Sequence, residues 1–149
     1  MVKLNNKLAI GCIIQWYEVE IYEDYIQSLI NSLDNIENKN NVTVDIMFYL
    51  SENLEKIDES QMSIKSIKER FQNSEKLLKK IGSNVNVVYY EKEDIYTIAN
   101  YRRDFNENYC DKVDVLMWGE TDSLIPKQTF QVLDLLHTNN INQNTFKYL

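Results

Sequence analysis

Glycine, proline and cysteine are scarce in this sequence, at 3, 1 and 2 residues in a chain of 149. Three separated glycines exclude a Gly-rich phosphate loop of the P-loop or dinucleotide type. With a single proline there is no Pro-rich linker, and no segment is of low complexity. The two cysteines, Cys12 in an apolar run and Cys110 among polar residues, make neither a disulfide framework nor a CxxC or Cys/His metal spacing. His137 is the one histidine, and no Ser or Cys set beside it supports a nucleophilic triad. Basic residues are outnumbered 16 to 23, for a net charge of −7. That balance excludes nucleic acid held by phosphate neutralisation and disfavours an anionic membrane surface. The longest apolar run, Leu8 to Ile14, is too short to span a bilayer. Met1 to Asn6 lacks the apolar stretch of a signal peptide. The expectation is a reduced, cytoplasmic protein without a transmembrane segment.

What is present reads as one domain over residues 1–149, long enough to bury a core without metal or disulfide staples. Leu8 to Ile14 is apolar throughout, the mark of a strand buried on both faces. From Val19 to about Ile36 the spacing changes: Ile26, Leu29, Ile30, Leu33 and Ile36 form one helical stripe. Glu18, Glu20, Glu23 and Asp24 crowd its first turns, where they favour the helix dipole. Val42 to Leu50 reads as a second strand, Gln61 to Ile81 as a helix ended by Gly82, and Val85 to Tyr90 as a third strand. Ile95 to Tyr109 is helical, Val113 to Trp118 is a fourth strand, and Pro126 starts a last helix. This alternation predicts an α/β fold, a Rossmann-like, mostly parallel sheet with helices on both faces. In such sheets ligands bind beyond the carboxyl ends of the strands, where the strand order reverses.

Chemistry is therefore sought just after each strand. Glu120 and Asp122 follow the fourth strand two residues apart, so in extended backbone both side chains leave one side. They either hold a hard divalent cation that bridges phosphate oxygens or form a solvated acidic turn. Arg102 and Arg103 project about 100° apart on their helix, so only one faces the sheet end. An inward arginine pairs with a pyrophosphate or with the Glu120/Asp122 pair; the plainer reading is a solvated basic turn. In Gln15-Trp16-Tyr17-Glu18 either ring can stack on a nucleobase or simply cap the core.

Taken together, these turns resemble the nucleotide-sugar-binding half of GT-A fold glycosyltransferases, particularly the family 2-like group. Gln15-Trp16-Tyr17-Glu18 stands where that family has a Pro-x-Tyr-Asn turn against the base, with Tyr17 kept. Gly119-Glu120-Thr121-Asp122 stands at the family's metal motif, with Glu for its first Asp, and Leu124-Ile125-Pro126 matches the Leu-x-Pro before the next helix. The resemblance implies that Gln15, Tyr17, Glu18, Glu52, Arg102 and Arg103 bind the donor nucleotide and that Glu120 and Asp122 hold Mn²⁺ or Mg²⁺. It implies a nucleoside-diphosphate sugar donor and an acceptor that is a glycan, lipid or protein. Glu52, or Asn53, lies slightly displaced from the family's acidic residue after the second strand. The acceptor half and its catalytic base have no counterpart before Leu149, so the chain reads as a donor-binding domain, C-terminally incomplete by comparison. The second reading is a non-catalytic α/β interaction module, a homo-oligomer among its forms, for which 10 tyrosines suit an interface.

Overall fold

A computed structural model describes residues 1–50, 63–92 and 94–143. Strands and helices alternate: β1 (Leu8–Gln15), α1 (Tyr22–Leu33), β2 (Val42–Tyr49), α2 (Ile64–Lys79), β3 (Asn84–Tyr90), α3 (Ile98–Tyr109), β4 (Val115–Trp118) and α4 (Thr129–Gln143). Short 3-10 turns occupy Trp16–Glu18 and Lys39–Asn41. The strands form one parallel sheet in the order β3-β2-β1-β4. The fold is thus α/β and Rossmann-like, with every described strand pair parallel.

The apolar run of β1 is buried on both faces, and its two faces serve two cores. Leu8, Ile10, Cys12 and Ile14 join Tyr22, Tyr25 and Leu29 of α1, Phe71 of α2 and Phe130 of α4. Ala9 and Ile13 point the other way, to Tyr101 and Phe105 of α3. This is the period-two alternation of a strand between two helical layers. On the first face Phe48 stacks on Phe71 with centroids 4.2 Å apart, and Tyr22 meets both rings edge-on. On the second face Asp45 of β2 is buried and accepts from the Tyr101 hydroxyl at 2.6 Å, the Tyr109 hydroxyl at 2.8 Å and Asn86 Nδ2 at 2.8 Å. The three donors offset the cost of burying the carboxylate and tie α3 to the middle of the sheet.

Local capping sets the helix ends. Ser63 Oγ accepts from the Ser66 amide ahead of α2. Thr97 and Asn100 cap each other's amides at the start of α3. Gly82, with φ of 96°, takes the left-handed conformation just past α2 that its type favours.

Several sequence expectations change here. The first helix starts at Tyr22 and ends at Leu33, so only Glu23 and Asp24 lie in its first turn. Glu18 belongs to the preceding 3-10 turn and Glu20 to the connection after it. The fourth strand is four residues long, Val115–Trp118. Pro126 precedes α4 instead of starting it: its carbonyl accepts from the Thr129 amide at 3.1 Å and hydroxyl at 2.8 Å. The α3 helix begins at Ile98, after its Thr97 cap, and not at Ile95.

Candidate functional site

The order β3-β2-β1-β4 places the reversal between β1 and β4. From β1 the chain first adds strands on one side; after β3 it crosses, through α3, to the other. The loops leaving β1 and β4 therefore separate, and a crevice opens between them. A cavity of about 690 Å³ lies there, lined by Gln15, Tyr17, Glu18, Glu20, Gly119, Glu120, Thr121 and Asp122, with Ile13, Ile21 and Ile98. Its size is that of an ordinary small-molecule site.

The wall from β1 is built by a turn that holds itself. The Gln15 amide donates to Glu18 Oε1 at 3.2 Å, which points the carboxyl back toward the strand end. Burial raises the pKa of Glu18, the Gln15 bond partly offsets this, and the charge of Asp122 raises it further. The charge of Asp122 is therefore felt at Glu18 across the crevice. Trp16 packs against the α1-side core, while Tyr17, 64% exposed and edge-on to Trp16, lines the cavity. The aromatic free to meet a ligand is Tyr17.

The wall from β4 is a turn, not the extended segment expected from the sequence. The Ser123 amide donates to the Glu120 carbonyl at 3.1 Å, closing residues 120–123. Thr121 turns inward and is buried, while Glu120 and Asp122 remain exposed on the cavity wall. Both acids line the one cavity, with the buried Thr121 between them in the turn. Behind it the Cys12 thiol, buried beneath the site, is pushed up to about 12 by burial and then by the charge of Glu18. The thiol stays protonated and is no nucleophile.

The two arginines separate as their helical spacing requires. Arg102 Nη2 donates to Glu120 Oε1 at 2.8 Å, and its guanidinium lies 4.7 Å from the Trp118 ring centre. Of the acidic pair, Glu120 is the member that Arg102 contacts. Arg103 points elsewhere, to its neighbour Asp104 at 3.4 Å, and does not line the cavity. Glu52 and Asn53 lie outside the described residues. Glu20 is a cavity residue missed by sequence reading, because helical periodicity counted it as helix. The apolar spacing runs on through Val19 and Tyr22, so the sequence carried no signal that the helix starts only at Tyr22.

The cavity is acidic. Glu18, Glu20, Glu120 and Asp122 line it, and no lysine or arginine does so among the described residues. Nor do three or more His, Cys, Asp or Glu side chains among the described residues converge into a self-sufficient metal cage. On the β4 wall the hard-oxygen groups are the two exposed carboxylates of Glu120 and Asp122. Such a pair fits a cation of the Mg²⁺ type, which takes one or two carboxylates and fills its remaining positions with water and phosphate. No described helix is long and apolar enough to cross a membrane. No family model, no curated protein and no solved structure matches this chain.

Proposed function

We propose that this chain is a GT-A-type glycosyltransferase, or its donor-binding portion, binding a nucleoside-diphosphate sugar with Mg²⁺ or Mn²⁺. One observation carries the reading: the turns after β1 and β4, singled out by their residues, line a single cavity at the strand-order reversal. An acidic cavity without a lining cation repels a free diphosphate. A divalent cation reconciles the two, so the −7 charge of the chain is compatible with a phosphate-bearing ligand.

In this reading Glu120 and Asp122 hold the cation on the diphosphate, and Tyr17 offers its exposed ring to the base. Gln15 and Glu18 shape the wall beside the base and ribose. Arg102, already at Glu120, lies within a side-chain movement of the same phosphates. When bound, the cation supplies Lewis-acid stabilisation of the charge on the departing diphosphate. The acceptor is a glycan, lipid or protein.

Calorimetry with UDP or GDP and Mn²⁺ tests the assignment. Cation-dependent binding, lost in Asp122→Ala, is expected. No binding, or binding indifferent to Asp122→Ala, overturns it. The second reading, a non-catalytic interaction module, draws on the exposed Leu124, Val132 and Leu135 around the start and middle of α4. Self-association without nucleotide binding would favour that reading.

A further inference from the structure

The two edges of the sheet differ. At one edge β3 alternates, with Asn84 and Asn86 interrupting its apolar residues. At the other, β4 reads Val-Leu-Met-Trp without a polar side chain, yet none of its residues is buried. The apolar β1 is buried from Leu8 to Ile14 because a strand flanks it on each side. The amides of Val115 and Gly119 donate inward, to the Lys7 carbonyl at 3.2 Å and the Gly11 carbonyl at 2.8 Å. By the alternation of a strand, Met117 also faces β1, and the N–H and C=O groups of Leu116 and Trp118 point to the open side. Among the described residues no strand pairs there.

An open edge of this kind accepts an extended backbone, and this one complements itself. With a two-fold axis through Met117, Leu116 of one copy lies opposite Trp118 of the other, and these are the residues whose groups point outward. Each such pair exchanges both of its N–H···O=C bonds, and the Trp118 indole, 46% exposed, is covered by the facing leucine. The strand itself carries no charge to repel a copy, in a chain whose net charge is −7. The acids that flank it are engaged within the chain: Asp114 Oδ2 accepts from the Lys7 amide at 2.9 Å, and Glu120 holds Arg102 at 2.8 Å.

We propose that β4 pairs antiparallel with β4 of a second copy, joining the two sheets into one across a two-fold axis at Met117. The pairing uses the open side of the strand, while the crevice lies between β1 and β4, so it does not rest on the donor-site reading. Strands of four residues make a small contact. The dimer is therefore weak, half-formed on the order of 100 µM. Because both copies are acidic, added salt screens their repulsion and tightens it.

Analytical ultracentrifugation over a concentration series, combined with amide hydrogen exchange, tests the pairing. Dimer forms as concentration rises, and the amides of Leu116 and Trp118 gain protection with it. Trp118→Lys sets at the edge a residue that commonly blunts one, and weakens association about tenfold or more; circular dichroism verifies that each variant is folded. In Met117→Cys with Cys110→Ser, the introduced thiols face each other as a non-hydrogen-bonded pair, with Cα atoms about 4.5 Å apart. That spacing suits a disulfide, so the two copies cross-link on mild oxidation, whereas Val115→Cys with Cys110→Ser does not cross-link. A wild type still monomeric at about 1 mM overturns the proposal. So does a dimer whose Leu116 and Trp118 amides stay unprotected, or one that Met117→Cys does not cross-link. Slow exchange of those two amides in the dilute monomer would show that the chain covers its own edge, and would overturn it as well.

Discussion

The Tyr25 hydroxyl stands 2.0 Å from the point where a Cβ on residue 119 would lie. Tyr25 is fully buried on α1, and the Gly119 amide donates to the Gly11 carbonyl at 2.8 Å, so neither side is free to retreat. Glycine is required there for room, at the point where β4 opens into the candidate site. Gly119→Ala is expected to cost about 1–3 kcal/mol through overpacking, measured by urea unfolding. Tyr25→Phe in the same chain should recover only part, because the ring carbon Cζ still lies 2.9 Å from that point. Unchanged stability in Gly119→Ala would show that the strand end gives way more easily than this packing allows.

A parallel relationship holds on the other face. A Cβ on Gly11 would meet Phe105 Cδ2 at 2.5 Å and the Tyr101 hydroxyl at 2.8 Å. Gly11→Ala therefore pushes α3 off the sheet. Loss of about 1–3 kcal/mol is expected, with near-ultraviolet circular dichroism reporting the disturbed aromatic packing.

Asp45 links that packing to pH. Tyr101→Phe removes its 2.6 Å hydrogen bond and leaves a buried carboxylate with fewer donors, at an expected cost of about 1–3 kcal/mol. Burial, followed by the Asp45 charge, raises the Tyr101 pKa; burial and the Asp45 hydrogen bond raise that of Tyr109. A raised pKa means that the folded chain holds these protons more tightly than the unfolded chain. The associated stability is whole below the unfolded tyrosine value of about 10 and declines as pH rises past it. Denaturant midpoints should fall above about pH 10 in the wild type, and less steeply in Tyr101→Phe.

The contrast between Leu8–Ile14 and Asp45 shows what was legible in the chain. A continuous apolar run announces a strand buried on both faces, and with the alternating helices it leads directly to a parallel sheet. Asp45 interrupts a similar run, Val42–Tyr49, yet its partners come from β3 and α3, 41 to 64 residues away. No local pattern announces such a pairing. At the site, the turns after β1 and β4 were legible because they follow apolar strands. The inward Thr121 was not, because a two-residue spacing reads as extended backbone until the Ser123–Glu120 hydrogen bond closes the turn. Arg102 and Arg103 were indistinguishable by type, and only their directions on α3 separate them.

That separation is itself testable. Asp122→Ala should weaken Mg²⁺-dependent UDP binding by about tenfold or more, as loss of a cation-holding carboxylate does. Arg103→Gln, altering an exposed side chain whose ion-pair partner among the described residues is its neighbour Asp104 at 3.4 Å, should leave binding within about twofold. Equal losses in both variants would mean that general surface charge, not the cavity, governs binding.

The most direct test is a heteronuclear NMR titration of the isotope-labelled chain with UDP in the presence of Mg²⁺. Amide shifts should concentrate at Gln15, Tyr17, Glu18, Gly119, Glu120 and Asp122, the residues that line the crevice between β1 and β4. Absence of shifts, or shifts confined to α2 or α4, would contradict a donor site at the strand-order reversal.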